Sequence, residues 1–259
     1  MSQLEYERLH PNLKFLELMT FESILDNYLE VATKDGKSTI EVLDYLVAQE
    51  VQSKEARSLD LRMRLAGFPV EKRLDDFDFK FQPSIDKASI KDLASLKFIH
   101  NAENVVFLGP PGVGKTHLAI ALGIEAANAG FRVNFVNASM LVERLAEAEK
   151  EKKLEDKIRR LSKFQLLVID EIGYLPFDFD ELGAHCFFQL ISRRYERGSI
   201  IFTSNKSYGE WGEIFKDHVI AAAILDRVLH HCTMVNIKGD SYRLKDRKKH
   251  GLIPQNFSG

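Results

Sequence analysis

The segment from residue 104 to residue 128 constrains the fold most, because it joins an apolar run, a glycine-rich turn and a helix-like stretch. Residues 109–116 read Gly-Pro-Pro-Gly-Val-Gly-Lys-Thr. Glycines let successive N–H groups turn inward around a phosphate, and the following helix points its positive dipole end at the same anion. The pattern predicts a strand, a loop that binds a nucleoside triphosphate, and a helix. The expected nucleotide contacts are Gly109, Pro110, Pro111, Gly112, Val113, Gly114, Lys115, Thr116 and His117.

A second apolar run ends in two carboxylates, at residues 164–171, Phe-Gln-Leu-Leu-Val-Ile-Asp-Glu. By itself this ending also suits a buried strand with a solvated acidic turn. Together with the loop, it predicts that Asp170 and the Thr116 hydroxyl hold Mg²⁺ beside the nucleotide. Glu171 is then placed to orient and deprotonate the water that attacks the γ-phosphate. The acidic pair therefore favours hydrolysis over phosphotransfer to another acceptor.

A third apolar run, residues 199–203, continues into Ser204 and Asn205. The carboxyl ends of parallel strands meet at one edge of a sheet, so Asn205 is expected between the acidic pair and the γ-phosphate. There its side chain would hold the attacking water. Taken alone, an asparagine at this place is more typical of a turn.

These three segments, in this order, resemble the AAA+ ATPases, in which the polar end of the third strand is called sensor 1. Two narrower stretches, Asp-Glu-Ile-Gly-Tyr-Leu-Pro at residues 170–176 and Thr-Ser-Asn-Lys at residues 203–206, are similar to IstB-type proteins of the DnaC-like group. The resemblance covers most of residues 104–247. It implies a helper ATPase of a bacterial insertion sequence, which forms a homo-oligomer on duplex DNA with ATP and assists the transposase encoded by the same element.

Residues 139–163 read as a pair of helices whose distal part is rich in lysine and arginine. Such a run is most often a solvated helix face. In the initiator branch of AAA+ proteins an extra helix at this place lines the DNA path, so the resemblance implies phosphate contacts with little sequence preference. The candidate DNA-binding residues are Lys150, Lys152, Lys153, Lys157, Arg159, Arg160 and Lys163.

Two arginines outside the loop are candidates for contacts with a nucleotide, and Arg227 is the first choice for the γ-phosphate of a neighbouring subunit. Arg227 lies in a helix-like stretch where DnaA and DnaC-like proteins carry an arginine finger that acts on a neighbouring subunit. An ion pair within its own subunit is the alternative. Arg243 lies where sensor 2 would stand, but only about sixteen residues follow it, too few for the helical lid of larger AAA+ proteins.

Apolar residues recur at helical spacing through residues 13–65, with a break at Asp-Gly-Lys-Ser, residues 35–38. We predict a helical N-terminal domain at residues 1–67 that binds a partner or another protomer, a linker at 68–89 and an ATPase domain at 90–259. Phe77, Phe79 and Phe81 alternate with charged residues in the linker. We expect these rings to pack against the ATPase core or a neighbouring subunit.

The composition agrees with this division: 259 residues with 45% apolar content allow one full core and a small appended module. A net charge of −2 identifies no partner, because DNA affinity depends on where basic residues cluster. Cys186 and Cys232 lack a CxxC spacing and fit reduced thiols. The chain has no apolar run of transmembrane length and no secretory signal pattern, so we expect a cytoplasmic protein without a membrane partner.

Two other functions fit the same motifs. A DnaC-like helicase loader shares the core motifs and differs in the partner of its N-terminal domain. A nucleotide-gated scaffold would bind ATP with little hydrolysis, and Glu171 argues against it without excluding it. The favoured interpretation is an α/β protein, an AAA+ P-loop NTPase with a parallel αβα sheet after a small helical N-terminal domain, with ATP and Mg²⁺ as cofactors.

Overall fold

The computed structural model describes residues 3–173, 181–215 and 217–245. The chain forms two compact units, Met1–Leu61 and Arg62–Gly259. The predicted domain boundary at residue 67 lies further along the chain than this division, and the predicted linker at residues 68–89 belongs to the second unit. The binding role of the N-terminal unit stays a prediction. Residues 174–176 of the quoted IstB-like stretch and residues 246–259 of the predicted ATPase domain lie outside the described residues.

The N-terminal unit is helical, as the periodicity predicts. It contains α1 (Gln3–Phe15), α2 (Met19–Lys34) and the beginning of α3 (Thr39–Ala66). The predicted break at residues 35–38 separates α2 from α3. At this break the Glu41 carboxylate accepts hydrogen bonds from the N–H and the hydroxyl of Ser38, both at 2.7 Å. Ser38 and Glu41 thereby satisfy backbone donors at the start of α3.

A small core holds the N-terminal helices together, and its buried members are Leu13, Phe21, Leu25 and Leu46. Glu50 is also buried, with 3% of its surface exposed. Its carboxylate accepts hydrogen bonds from the N–H groups of Thr20 and Phe21 at 2.7 and 2.9 Å. These hydrogen bonds join α3 to α2. The dipole of α2 also favours the negative charge of Glu50 at the start of that helix.

Within its described residues, the second unit is built on one sheet of five parallel strands in the order β2-β3-β4-β1-β5. Every residue of β4 is buried, as is typical of a strand covered on both faces. The predicted parallel sheet is therefore confirmed. The strands are β1 (Asn104–Leu108), β2 (Val133–Asn137), β3 (Leu166–Ile172), β4 (Ser199–Ser204) and β5 (Cys232–Asn236).

Helices cover both faces of the sheet, and the alternating side chains of β1 show which helices lie on which face. Val105 and Phe107 join the cluster formed with α4 to α6, whereas Val106 and Leu108 join the cluster formed with α7 to α11. The architecture is therefore αβα. These helices are α4 (Lys87–Ala94), α5 (Lys97–His100), α6 (Lys115–Asn128), α7 (Ala138–Lys150), α8 (Leu154–Leu161), α9 (Glu181–Arg194), α10 (Trp211–Phe215) and α11 (His218–Leu229).

The segment predicted as a linker packs on this core. Phe68, Phe77 and Phe79 are partly buried against the cluster on the α6 face. The expectation that the aromatic residues pack against the core is therefore correct for Phe77 and Phe79. Among the described helices, none combines the length and the apolar character needed to cross a membrane.

Candidate nucleotide-binding site

The phosphate-binding loop follows β1 and leads directly into α6, as the sequence predicts. Gly112 and Gly114 adopt positive φ angles of 82° and 101°. A Cβ atom on Gly112 would lie 2.1 Å from Ser241 Oγ, and one on Gly114 would lie 2.5 Å from the ring of Phe77. Glycine is therefore required at both positions by backbone conformation and by close neighbours.

Lys115 is the first residue of α6, and its ammonium group points back to the loop. Nζ donates hydrogen bonds to the carbonyl oxygens of Gly109 and Pro110 at 2.6 and 2.8 Å. Burial lowers the pKa of Lys115 to about 8, although the charges of Asp170 and Glu171 act in the opposite direction. A triphosphate would add negative charge beside this group and favour its protonated form.

The hydroxyl of Thr116 meets the carboxylate of Asp170, which fits the predicted magnesium site. Thr116 Oγ1 donates to Asp170 Oδ1 at 2.8 Å and lies 3.2 Å from Oδ2. Thr203, buried in β4, also donates to Asp170 Oδ1, at 2.5 Å. Hydroxyl and carboxylate oxygens are ligands that Mg²⁺ accepts, so the chemistry of the donor set suits this ion.

Glu171 lies at an irregular point of β3, where the pairing register with β4 shifts between Ile169 and Ile172. Its φ angle is 64°, which is unusual for a residue with a side chain. The Glu171 N–H donates to Thr203 Oγ1 at 2.9 Å. Asn137, the last residue of β2, donates through Nδ2 to Glu171 Oε2 at 2.8 Å. The Glu171 carboxylate is therefore held by β2, and its backbone N–H by β4.

The cavity beside these residues has a volume of about 300 Å³, which is in the range of small-molecule pockets. Predicted residues 111–117, Glu171, Asn205 and Arg243 line it together. Asn205 Oδ1 is buried and has no hydrogen-bond partner within the described residues. Gly109 and Pro110 contribute through their carbonyl contacts with Lys115, and Asp170 through its contact with Thr116.

One wall of this cavity is absent from the sequence-based prediction. It is formed by the segment that was predicted as a linker, together with Tyr242 beside Arg243. The Phe77 ring contacts the His117 ring edge to face at 5.3 Å between centroids, and His117 Nε2 lies 2.8 Å from the carbonyl oxygen of Arg73. The aromatic alternation predicted packing but not a role in the pocket. The wall residues from this segment are Val70, Lys72, Asp76, Phe77, Asp78 and Gln82.

Arg227 lies away from this cavity. It lines a small depression with Asn104, the first residue of β1, and Ile200, near the start of β4. Its guanidinium donates to the carbonyl of Ala223 at 3.0 Å and lies 4.9 Å from the ring centre of Phe188. The phosphate-binding loop follows the opposite end of β1, so Arg227 is not placed to contact the nucleotide of its own subunit.

The predicted basic region forms α7, α8 and the turn between them. Lys153, Lys157 and Arg160 line a shallow surface groove together with Arg144. Glu147 and Glu151 share this groove, and Lys153 pairs with Glu151 at 2.8 Å. Other predicted contacts lie outside the groove: Arg159 is paired with Asp156, and Lys150, Lys152 and Lys163 do not line it.

Comparison with known structures identifies the class of fold. The crystal structure of DnaI has a TM-score of 0.53 and 21% sequence identity, covering 65% of this chain and 92% of that chain. DnaA bound to AMPPCP and single-stranded DNA has a TM-score of 0.51 and 21% identity, covering 71% and 56%. Together with the loop and the sheet, these similarities define an AAA+ P-loop NTPase fold.

Sequence relatives then give the family. An insertion sequence IS21 putative ATP-binding protein of Pseudomonas aeruginosa is 48% identical over 232 residues, 90% of this chain and 87% of the relative. The corresponding IS5376 protein of Geobacillus stearothermophilus is 46% identical over 242 residues, 93% and 96% of the two chains. Residues 11–250 match the family described as IstB-like ATP binding protein. The chain belongs to this family, which confirms the resemblance inferred from the motifs.

Proposed function

We propose that this chain is a Mg²⁺-dependent ATPase that assembles on duplex DNA and assists the transposase of its insertion sequence. The observation that carries the proposal is the convergence of Lys115, the Thr116–Asp170 pair and Glu171 around one cavity. The names of the relatives, which are ATP-binding proteins of insertion sequences, support ATP as the nucleotide and transposition as the setting.

The proposed reaction uses the residues as they are arranged around the cavity. Lys115 exchanges its carbonyl partners for phosphate oxygens and neutralises their charge. Asn205 holds the attacking water. The oxygen of this water forms a bond to the γ-phosphorus, while the bond between the γ-phosphorus and the terminal oxygen of ADP breaks. The proton of this water passes to the Glu171 carboxylate, which the Asn137 amide keeps in a defined position. Arg243, which lines the cavity, adds positive charge next to the phosphates.

Thr116 and Asp170 are the residues that would hold Mg²⁺. When bound there, Mg²⁺ supplies charge neutralisation for the phosphate oxygens. The hydrogen bond from Thr203 keeps the Asp170 carboxylate in place at the end of β3. Removal of Mg²⁺ by a chelator is therefore expected to stop hydrolysis.

Assembly on DNA is the second part of the proposal. Arg227 lies away from the cavity of its own subunit, so it would act on the nucleotide of a neighbour in an oligomer. ATP held between two protomers would then favour assembly, and hydrolysis would favour release. The groove lined by Lys157 and Arg160 supplies candidate contacts for DNA phosphates.

The test is the mass of the DNA-bound particle at fixed salt, because phosphate contacts depend on salt. We would compare ADP, ATP, and ATP with the Glu171→Gln variant, which keeps the shape of the side chain and removes the base. The proposal expects a large DNA-bound assembly that requires ATP and persists in the variant. A monomer whose DNA affinity does not respond to nucleotide would contradict it.

Two further measurements separate the alternative functions. A scaffold with little hydrolysis predicts equal single-turnover rates for wild type and Glu171→Gln, whereas an ATPase predicts a loss of roughly a hundredfold or more. Capture of a transposase by the full-length chain supports the transposition role. Capture of a replicative helicase instead would favour a helicase loader.

A further inference from the structure

We propose that the ion pair between Asp78 and Lys245 holds one side wall of the nucleotide cavity closed and sets the rate at which nucleotide leaves. The inference rests on the proposed binding of nucleotide in this cavity. Asp78 and Lys245 act as positioning residues, because they hold the two chain segments that form the wall.

The two segments that meet at this wall are residues 68–89 and residues 237–245, which are far apart in sequence. The Lys238 N–H donates to Ser84 Oγ at 2.9 Å, and Gln82 Nε2 donates to the carbonyl oxygen of Asp240 at 2.8 Å. These two hydrogen bonds lie near the end of β5. Further along the chain, Lys245 Nζ contacts Asp78 Oδ2 at 2.7 Å. The segments are therefore joined at both ends of residues 238–245.

The Lys245 ammonium lies over two aromatic rings, and the attraction between a cation and a ring face adds to the ion pair. Lys245 Nζ lies 5.0 Å from the ring centre of Phe81 and 4.7 Å from that of Tyr242. The two rings meet edge to face at 5.2 Å. Only 35% and 31% of the Lys245 and Asp78 side-chain surfaces are exposed. We call Asp78, Phe81, Tyr242 and Lys245 the clamp.

Both segments also contact the phosphate-binding loop, so the clamp connects to the site itself. The Tyr242 N–H donates to the carbonyl oxygen of Gly112 at 2.9 Å, and the Phe77 ring lies directly on Gly114. Asp78 and Tyr242 both line the cavity. Breaking the ion pair would free the Tyr242 side of the wall and open a path for the nucleotide. An intact ion pair in the clamp therefore favours slow dissociation of the nucleotide.

The pKa directions agree with a stable pair. The hydrogen bond from Lys245 holds the pKa of Asp78 below its usual value, and the same contact raises the pKa of Lys245. Both side chains are therefore charged at neutral pH, and each retains its partner.

The test is the dissociation rate of a fluorescent ADP analogue from the full-length protein, measured by stopped flow. Asp78→Asn and Lys245→Met each remove one charge, and both are expected to raise the dissociation rate roughly threefold to tenfold. For Lys245→Met, whose side chain does not line the cavity, KM for ATP should rise with the dissociation rate while kcat stays near the wild-type value. Lys245→Arg keeps the positive charge and its stacking on the two rings, so its nucleotide dissociation rate should stay close to that of wild type.

The matched control is Glu71→Gln. This variant breaks the ion pair between Arg73 and Glu71, which has the same length of 2.7 Å. Both residues of that pair lie in one segment, so the pair does not connect the two segments of the wall. Its dissociation rate should equal that of wild type. Unchanged rates in both clamp variants, or an equal increase in the control, would overturn the clamp while leaving nucleotide binding intact. If the wild-type protein binds no nucleotide, the proposed function and the clamp both fail.

Discussion

Lys115, which we propose to bind the nucleotide, is expected to reduce the stability of the nucleotide-free protein. Its pKa of about 8 lies below the ordinary value of 10.5 because burial disfavours the charged form. The folded state therefore holds this proton less tightly than the unfolded state does. The unfavourable contribution is fully present below pH 8, and it is relieved as pH rises from 8 towards 10.5.

We therefore predict that Lys115→Met abolishes nucleotide binding yet raises the Tm of the nucleotide-free protein at pH 7. The lowering of the pKa from 10.5 to about 8, at about 1.4 kcal/mol per pKa unit, corresponds to at most about 3.5 kcal/mol. Solvent screening of this partly exposed group and the two lost hydrogen bonds offset part of it, which leaves a gain of about 1–2 kcal/mol in the free energy of unfolding. Scanning calorimetry across pH checks this, and the advantage over wild type should shrink between pH 8 and 10.5. Lys91→Met, at an exposed position of α4, is the control. A lower Tm at pH 7 for Lys115→Met would contradict the prediction.

At the scale of single residues, the sequence predicts the groups that belong to local motifs and not those that reach them from other strands. Lys115 and Thr116 belong to one continuous motif, and Asp170 and Glu171 are adjacent near the end of β3. Asn137 is 34 residues away from Glu171 in sequence, yet it donates to the Glu171 carboxylate. Such contacts depend on the strand order, which places β2 next to β3. The spacing of residues within one motif does not indicate that β2 and β3 are neighbours in the sheet.

Among the elements, the segment at residues 68–89 differs most from the sequence-based description. It lacks the long periodic pattern of a helix or strand, and the predicted linker reflects this absence. Phe68, Phe77 and Phe79 nevertheless pack on the core. Six side chains of the segment line the cavity: Val70, Lys72, Asp76, Phe77, Asp78 and Gln82. The predicted strands β1, β3 and β4 follow the apolar patterns, because each is buried along almost its whole length. A wall made of turns buries single side chains and leaves a weaker pattern.

We predict that Phe77→Ala weakens nucleotide binding about tenfold, because this ring covers Gly114 and contacts His117 at the cavity wall. The control is Phe68→Ala in the same segment. Phe68 is also partly buried, but it packs near Gly123 of α6 and does not line the cavity. Each variant should lose about 1–2 kcal/mol of unfolding free energy. Titration with a fluorescent nucleotide, beside thermal melts, separates the two effects, and equal loss of binding in both variants would refute the assignment.

At the scale of the whole molecule, the groove on α7 and α8 is the candidate DNA surface. In the presence of ATP, the double variant Lys157→Ala and Arg160→Ala should bind duplex DNA less tightly. The slope of log affinity against log salt should fall by about 1.8, since each lost phosphate contact removes about 0.9. Arg159→Ala is the control, because Arg159 is paired with Asp156 and lies outside the groove. An unchanged slope in the double variant would move the DNA surface elsewhere.

The αβα architecture could be predicted from the sequence because three apolar runs end in polar residues that must share one edge of a parallel sheet. The arrangement of protomers in an oligomer could not be predicted from the sequence, because it depends on which surfaces of the folded protein face one another. Arg227 illustrates the difference. Its position near the amino ends of β1 and β4 separates it from the cavity, which lies beyond the carboxyl ends. A role at the nucleotide therefore requires a second subunit.

This requirement leads to a test by mixing inactive variants. Alone, Lys115→Met should hydrolyse almost no ATP, because it lacks a contact with the phosphates. Arg227→Ala alone should also hydrolyse almost none, because it lacks the arginine that a neighbour would supply. In a mixture, an Arg227→Ala subunit keeps its own Lys115 and receives Arg227 from an adjacent Lys115→Met subunit, so activity should return. Arg243 lines the same cavity as Lys115, and a mixture of Lys115→Met with Arg243→Ala should stay inactive, because no site then holds both groups. Equal recovery in the two mixtures, or none in the first, would show that Arg227 does not complete a neighbour's site.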